Sequence, residues 1–245
     1  IRAFVLILLR ISGFVFVSPV FGRRGIPPVL KICFCMLMAY IVFSGYGPSI
    51  SADSLDVLQL TILCVREVLI GIVFGFTTVI FFSVFYMAGQ VLDIQMGFQL
   101  GSVYDPQLGE RVPLTGNLIY TFAFITFIIT GGHLKLIYML YQMYETVPVM
   151  GGSITALLTN VVIGGFNNAL LFAINMALPM VIMMMVCEFA LGLMVRFVPQ
   201  MNVFIVGIPI KILVGYMVMM FMIAPLSGLF ELLFDSMFEF SQSVV

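Results

Sequence analysis

The chain has 245 residues, of which 62% are hydrophobic and 9% charged, and its formal net charge is −1. A typical soluble domain carries about 25% charged residues. So few charged side chains cannot cover a water-facing surface, and this excludes a soluble enzyme. A nucleic-acid-binding protein is excluded as well, because no basic patch is present to neutralise phosphates. The composition therefore predicts a protein surrounded by lipid or by other apolar subunits.

Apolar stretches follow one another along the chain, and none shows sustained period-two alternation. Long runs of this kind, with small residues inside them, are typical of helices. The first run, Ala3–Val17, could be taken for a signal peptide. Arg10 interrupts its apolar core, so we expect this segment to be retained as a helix. The sequence thus predicts an all-α, polytopic protein. The runs are Ala3–Val17, Val29–Phe43, Val57–Ala88, Leu114–Thr130, Leu134–Tyr144, Ile154–Val198 and Val203–Phe234.

The lengths of these runs do not match a bilayer. As a helix, Val57–Ala88 would be about 48 Å long, whereas the hydrocarbon core is about 30 Å thick. Leu134–Tyr144 is too short to cross it. The longest run contains Gly164-Gly165 and Pro179, which can break or kink a helix. We therefore expect long, kinked helices and hairpins that pack in a multi-subunit helical assembly.

Several charged side chains occur within or beside these apolar runs. A lone charge at the bilayer centre costs about 2.5–3.5 kcal/mol on insertion scales, so we expect these charges to face protein or water. Pairing within the chain and pairing with other subunits both remain open. Arg66 and Glu67 are not expected to pair with each other, because adjacent helical residues point in different directions. The set comprises Arg10, Arg66, Glu67, Asp93, Glu188 and Arg196.

No catalytic or metal site is predicted, and we expect no cofactor. The single histidine, His133, excludes a His-pair metal site. Asp105 precedes Pro106 and is typical of a turn; an aspartyl site would need a second carboxylate beside it. The cysteines lack the spacing of a zinc or redox site, so we expect buried, inert thiols at Cys33, Cys35, Cys64 and Cys187.

The segment from Ala88 to Pro113 differs in composition from the rest of the chain. Glutamines, glycines and Asp93 alternate there with bulky apolar side chains. Such backbone at membrane depth is tolerated only where it is buried in protein or lines an aqueous cavity. Hydrophobic constrictions gate pores by excluding water. The segment is therefore a candidate pore constriction, and an ordinary surface loop is the alternative.

Short motifs along nearly the whole chain carry a family resemblance. Each motif is weak alone, but their order and spacing together are specific. In chain order they are Arg10-x-x-Gly13, Pro19-Val20-Phe21-Gly22, Pro27, Arg66-Glu67, Ile70-Gly71, Gly75-Phe76, Ala88-Gly89, Asp93, Met96-Gly97, Asp105-Pro106, Gly132-His133, Leu136, Pro148, Pro199-Gln200-Met201-Asn202-Val203-Phe204, Gly207 and Pro209. The chain resembles the FliR family, the R-type subunits of the flagellar type III export gate, and less closely its injectisome counterparts. Gly132-His133 favours the flagellar branch.

This resemblance implies a single export-gate domain over residues 1–245, in the bacterial inner membrane at the flagellar basal body. The implied partners are P-type and Q-type gate subunits, other membrane proteins of the export apparatus, and the unfolded flagellar proteins that are exported. The family also implies that the loop 97–113 contributes to the plug of a closed pore, with Phe98, Leu100 and Tyr104 as blocking side chains. The implied plug residues are Gly97, Phe98, Leu100, Gly101, Tyr104, Asp105 and Pro106.

Two functions of other classes remain as alternatives. A self-contained secondary transporter would show internal repeats and paired broken helices, and no convincing repeat relates residues 1–120 to 121–245. A structural scaffold that nucleates assembly is the other alternative. Near the C-terminal end, Glu231, Asp235 and Glu239 are spaced four apart, which predicts an acidic stripe that faces solvent or a partner.

Overall fold

The computed structural model describes residues 2–46, 56–98, 113–149, 159–198 and 203–243. These ranges are helical and contain no strand, which confirms the all-α class. The helices are α1 (Arg2–Val17), α2 (Pro28–Tyr46), α3 (Val57–Met96), α4 (Leu114–Ile129), α5 (Gly132–Thr146), α6 (Phe166–Phe197) and α7 (Val203–Ser243), with a π-helical segment at Asn160–Gly165 directly before α6.

Four of the described helical segments are long and apolar enough to cross a membrane. They are Pro28–Tyr46, Val57–Met96, Val161–Phe197 and Ile205–Ser241; the broken pair Leu114–Ile129 and Gly132–Glu145 would make a fifth if it forms one span. At 40 residues, α3 is about 60 Å long, twice the thickness of the hydrocarbon core. The chain is therefore a polytopic membrane protein with at least one helix longer than a simple span needs.

The third helix extends beyond its predicted end. The sequence indicated that the apolar run stops at Ala88, but α3 continues through Gln90 and Asp93 to Met96. Asp93 is buried and accepts a hydrogen bond from the Thr115 N–H, so its polarity does not end the helix. The change in composition at Ala88 therefore does not coincide with the end of the helix, which α3 reaches only at Met96.

The predicted break at Gly164-Gly165 occurs as a π-helical segment, whereas Pro179 lies inside an uninterrupted α6. In the π-helical segment a Cβ atom on Gly164 would lie 3.0 Å from a ring carbon of Phe240, and one on Gly165 would lie 3.2 Å from the same ring. The two glycines thus let the Phe240 ring pack directly on the backbone.

Residue contacts divide the chain into two compact units, each built from separate segments. Unit 1 comprises Ile1–Phe82, Gly131–Asn168 and Phe234–Val245, and unit 2 comprises Ser83–Thr130 and Ala169–Leu233. The long helices α3, α6 and α7 contribute residues to both. The single domain expected over residues 1–245 stays a prediction.

In unit 1, α1 and α3 approach through glycines. A Cβ atom on Gly13 of α1 would lie 2.6 Å from the Val68 carbonyl oxygen, and one on Gly75 of α3 would lie 2.9 Å from the Val17 Cβ atom. Gly71 faces the Arg10 carbonyl at still closer range. The spacing Gly71-x-x-x-Gly75 is typical of close helix packing, and here it serves packing within the chain.

The cysteine prediction was wrong for most of the thiols. Cys35 is buried, but Cys33 is exposed and Cys64 and Cys187 are half-buried. For Cys33 the reason is that α2 buries only one narrow face in this chain, made of Cys35, Met38, Ala39 and Val42. Cys33 lies off that face despite its apolar neighbours.

Candidate functional site

The candidate site is the base of the segment predicted to form a constriction. At its first end, α3 closes with a Schellman motif: Gly97 has φ 83° and its N–H donates to the Ile94 carbonyl at 3.1 Å. The Phe98 N–H donates to the Asp93 carbonyl at 3.0 Å. This pair of hydrogen bonds satisfies the last carbonyls of the helix, and glycine adopts the left-handed conformation without a steric cost. The chain therefore leaves α3 in a fixed direction.

At the second end of this segment, α4 starts after Pro113, which provides no side-chain cap. The Asp93 carboxylate takes that role from α3, because the Thr115 N–H donates to its two oxygens at 3.2 and 3.3 Å. Asp93 is only 3% exposed. A carboxylate at a helix N-terminus satisfies a free N–H and interacts favourably with the helix dipole. Asp93 thus binds both ends of the segment 97–113: its carbonyl accepts from Phe98, and its carboxylate accepts from Thr115.

Glycines hold the same two helices in close contact. Gly89 of α3 lies against the backbone of Gly116 in α4, so closely that a Cβ atom on Gly89 would overlap it. A Cβ atom on Gly116 would lie 3.2 Å from the Tyr86 carbonyl oxygen. Tyr86 stacks on Tyr120 with ring centroids 4.7 Å apart. We call Gly89, Asp93, Thr115 and Gly116 the loop stem.

Helix α7 contacts the first residues of the segment. The Phe98 ring meets the Tyr216 ring edge-on, with ring centroids 6.2 Å apart. Next to it, a Cβ atom on Gly215 would lie 2.5 Å from the Met96 terminal methyl group, so glycine makes room for that side chain. Helix α7 therefore packs beside the loop stem, in addition to α3 and α4.

The remaining predicted plug residues, Leu100, Gly101, Tyr104, Asp105 and Pro106, lie outside the described residues, and so do Pro199, Gln200 and Asn202 of the family motif. Their roles stay predictions. Of the other motif residues, Gly132 starts α5, His133 follows it and is half-buried, and Phe204, Gly207 and Pro209 lie in the first turns of α7.

A second cluster, in unit 1, is built on a buried ion pair. Arg10 Nε donates to the Glu67 carboxylate at 2.5 Å, and both side chains are 0% exposed. Arg10 Nη1 donates to the Val147 carbonyl at 2.6 Å, and its guanidinium lies 4.7 Å from the centre of the Tyr144 ring. Tyr144 in turn donates to the Ile7 carbonyl at 3.1 Å. This cluster fastens α1 to α3 and to the end of α5.

The other predicted charges are less buried in this chain. Arg66 is half-buried and Arg196 is exposed. Glu188 accepts a hydrogen bond from Lys211 at 2.6 Å, with 42% of its side chain exposed. Contacts of these charges with other subunits stay predictions. In the acidic stripe, Asp235 pairs with Lys135 at 3.0 Å and both are exposed.

Sequence reasoning did not single out Thr115 and Gly116 of the loop stem, or Tyr216, which packs on Phe98. One signal could have pointed to Thr115. A helix that starts after a proline, without Ser, Thr, Asp or Asn at its N-cap, needs a cap from elsewhere for its first N–H groups. No motif marks Tyr216. Among the described residues, no group of three or more His, Cys, Asp or Glu side chains could hold a metal ion.

Comparison with known proteins adds an independent finding. The sequence matches the family described as bacterial export proteins, family 1, over residues 1–237. It is 33% identical over 225 residues to the flagellar biosynthetic protein FliR of Bacillus subtilis, covering 89% of this chain and 84% of that protein. The FliR protein of Escherichia coli is 26% identical over 240 residues, with 97% and 90% covered. The Yop proteins translocation protein T of Yersinia pestis is 30% identical over 215 residues, with 85% and 80% covered.

Proposed function

The chain belongs to family 1 of the bacterial export proteins, and on that premise we propose that it is a core subunit of the flagellar type III export gate. It forms part of the pore through which unfolded flagellar proteins leave the cell. The observation that carries the proposal is the family match along nearly the whole chain, with FliR relatives among the matched proteins. Energy for export comes from other components, so the chain needs no catalytic residue and no cofactor.

The loop stem supports a plug in the segment 97–113. A constriction that blocks a pore must be held in place while its tip remains free to be displaced. Asp93 fixes both ends of the segment, and the close contact of Gly89 with Gly116 keeps α3 and α4 together. The plug residues of this proposal are Gly97, Phe98, Leu100, Gly101, Tyr104, Asp105 and Pro106.

The exposed apolar surface supports membrane partners. Large hydrophobic side chains are exposed along the outward faces of the long helices, among them Phe189 at 70% and Phe221 at 80%. Exposed apolar side chains in such numbers indicate contact with lipid or with other proteins. We propose P-type and Q-type gate subunits as the partners, within the inner membrane at the flagellar basal body.

The test of the plug is ion leakage through the assembled gate. Phe98→Ala combined with Tyr104→Ala should raise the ion conductance of cells that carry the complex, because two bulky side chains leave the constriction. Phe43→Ala on α2 serves as the control, because the Phe43 ring packs on Phe4 within the chain, with ring centroids 5.9 Å apart, and lies far along the sequence from the loop. An unchanged conductance in the double variant, with the complex present at normal level, would refute the plug assignment.

An injectisome export-gate subunit is the second candidate. The observation that favours it is the 30% identity to the Yop proteins translocation protein T. The two candidates separate by complementation. The flagellar assignment predicts that the chain restores motility to a strain that lacks its own FliR protein, and restored secretion by an injectisome mutant without restored motility would favour the alternative.

A further inference from the structure

A groove of about 510 Å³ lies in unit 2 between α3 and α6. On each helix its lining residues recur three and four positions apart, so each helix contributes one face. The groove follows α6 from Leu170 to Val181, which is about 16 Å at 1.5 Å per residue. It is therefore three helical turns long. The lining residues are Met87, Gln90, Val91, Ile94, Leu170, Ala173, Ile174, Ala177, Leu178 and Val181.

The groove has a floor of small side chains and walls of large ones. Ala173 and Ala177, one turn apart on α6, are buried at 5% and 4% exposure. On the two sides, Ile94 is 53% exposed and Ile174 is 49% exposed. Small residues four apart allow another helix to approach closely, and this is how helices associate within membranes.

Gln90 is the one polar side chain among the lining residues, and it is exposed. An amide without a hydrogen-bond partner is costly in an apolar environment, and an acyl chain offers no such partner. A helix that carries a Ser, Thr, Asn or Gln side chain would satisfy the amide and fill the apolar space on both sides of it. Hydrogen-bonding complementarity thus favours a helix over a lipid.

We propose that this groove binds a transmembrane helix of a partner subunit, an apolar helix that presents one hydrogen-bonding side chain to Gln90. The inference rests on the proposed function, because a partner helix requires a multi-subunit assembly. Beyond the proposed function, the inference states which surface of the chain binds a partner helix and what kind of side chain that helix presents.

Crosslinking within the intact complex tests the occupant directly. A photo-reactive benzophenone amino acid replaces Ile174 in the groove wall, and the illuminated complex is analysed by mass spectrometry. The expected product joins this chain to an apolar helix of another subunit. If the complex purifies intact and the crosslinks reach only phospholipid, the groove assignment is wrong while the proposed function stands. If no partner subunit is recovered, both fail.

A pair of substitutions tests the role of the amide. Gln90→Leu should weaken association with the crosslinked subunit about three- to tenfold, as expected for the loss of one interhelical hydrogen bond. Asn175→Leu is the matched control: Asn175 is an exposed amide on α6 that does not line the groove, and its loss should leave that association unchanged. Equal effects of the two substitutions would refute a specific contact at Gln90.

Discussion

At the scale of single residues, Arg10 and Glu67 form the most enclosed charged pair that the described residues contain. Taking two charges out of water costs several kcal/mol per ion, which their mutual attraction offsets only in good geometry. Here Arg10 also donates to the Val147 carbonyl and contacts the Tyr144 ring. The pair therefore holds α1, α3 and the end of α5 together. It stabilises the protein only when both charged side chains are present.

For this ion pair, we expect the effects of single substitutions on the free energy of unfolding not to add up in the double variant. Glu67→Leu should destabilise the protein by about 3–5 kcal/mol, because it leaves the Arg10 charge buried and unpaired. The double variant with Arg10→Met should be more stable than Glu67→Leu alone. Thermal unfolding of the detergent-solubilised protein measures both.

The exposed pair Lys135–Asp235 provides the control for this series. Its side chains are 57% and 61% exposed, and exposed pairs contribute about 0–1 kcal/mol. Lys135→Ala should therefore change the unfolding temperature little. If Glu67→Leu were equally mild, the buried pair would not hold the helices together.

Asp93 caps α4 through its hydrogen bonds from the Thr115 N–H, which makes a second prediction at this scale. Asn is as good an N-cap as Asp, whereas loss of a cap costs about 0.5–2 kcal/mol. Asp93→Asn should thus preserve the stem, and Asp93→Leu should release the start of α4 and raise ion leakage. The conductance assay described for the plug checks this. Equal leakage of the two variants would show that the charge, and not the hydrogen bond to Thr115, is what matters.

At the scale of helices, glycines decide which elements come close together. Gly71 of α3 meets the backbone of α1, whereas Gly192 of α6 has open space around it. Gly71→Ala should therefore destabilise the protein, because the two helices must move apart. Gly192→Ala should stabilise it by about 0.4–1 kcal/mol by restricting the unfolded chain. Opposite shifts in unfolding temperature are expected, and equal shifts would contradict the α1–α3 packing.

Most helices could be predicted from the sequence because their signals are local. The apolar runs place α1, α2 and α4 within a few residues of their observed bounds. The end of α3 could not be predicted from hydropathy, because Asp93 is polar by composition but buried by its hydrogen bond to Thr115. That bond depends on a contact between two helices, which no local pattern encodes.

The candidate site shows the same division. Gly97 and Phe98 were singled out from the sequence and the resemblance, and they lie next to the loop stem. Tyr216 packs on Phe98 but lies more than 100 residues later in the chain, so no local pattern connects the two. Arg10 and Glu67 were each identified as unusual charges, but their pairing joins residues on different helices. Sequence thus identified the residues that break the apolar pattern, while the fold determined which of them meet.

At the scale of the whole molecule, three of the four candidate membrane spans, all except the largely buried α3, are too apolar and too exposed for a protein that stands alone in water. Only 22% of the most apolar part of α2, 28% of that of Val161–Phe197 and 22% of that of Ile205–Ser241 is buried within the chain. Helices in membranes associate through close packing and hydrogen bonds. We expect the chain purified without partners to stay in solution only with detergent or lipid.

Co-purification shows whether the chain works as one subunit of an export gate. The chain is tagged in its native host, the membranes are solubilised gently, and the proteins that stay bound are identified by mass spectrometry. If the chain is a gate subunit, a stable complex with P-type and Q-type gate subunits is recovered. A folded, monomeric chain without partners would contradict it.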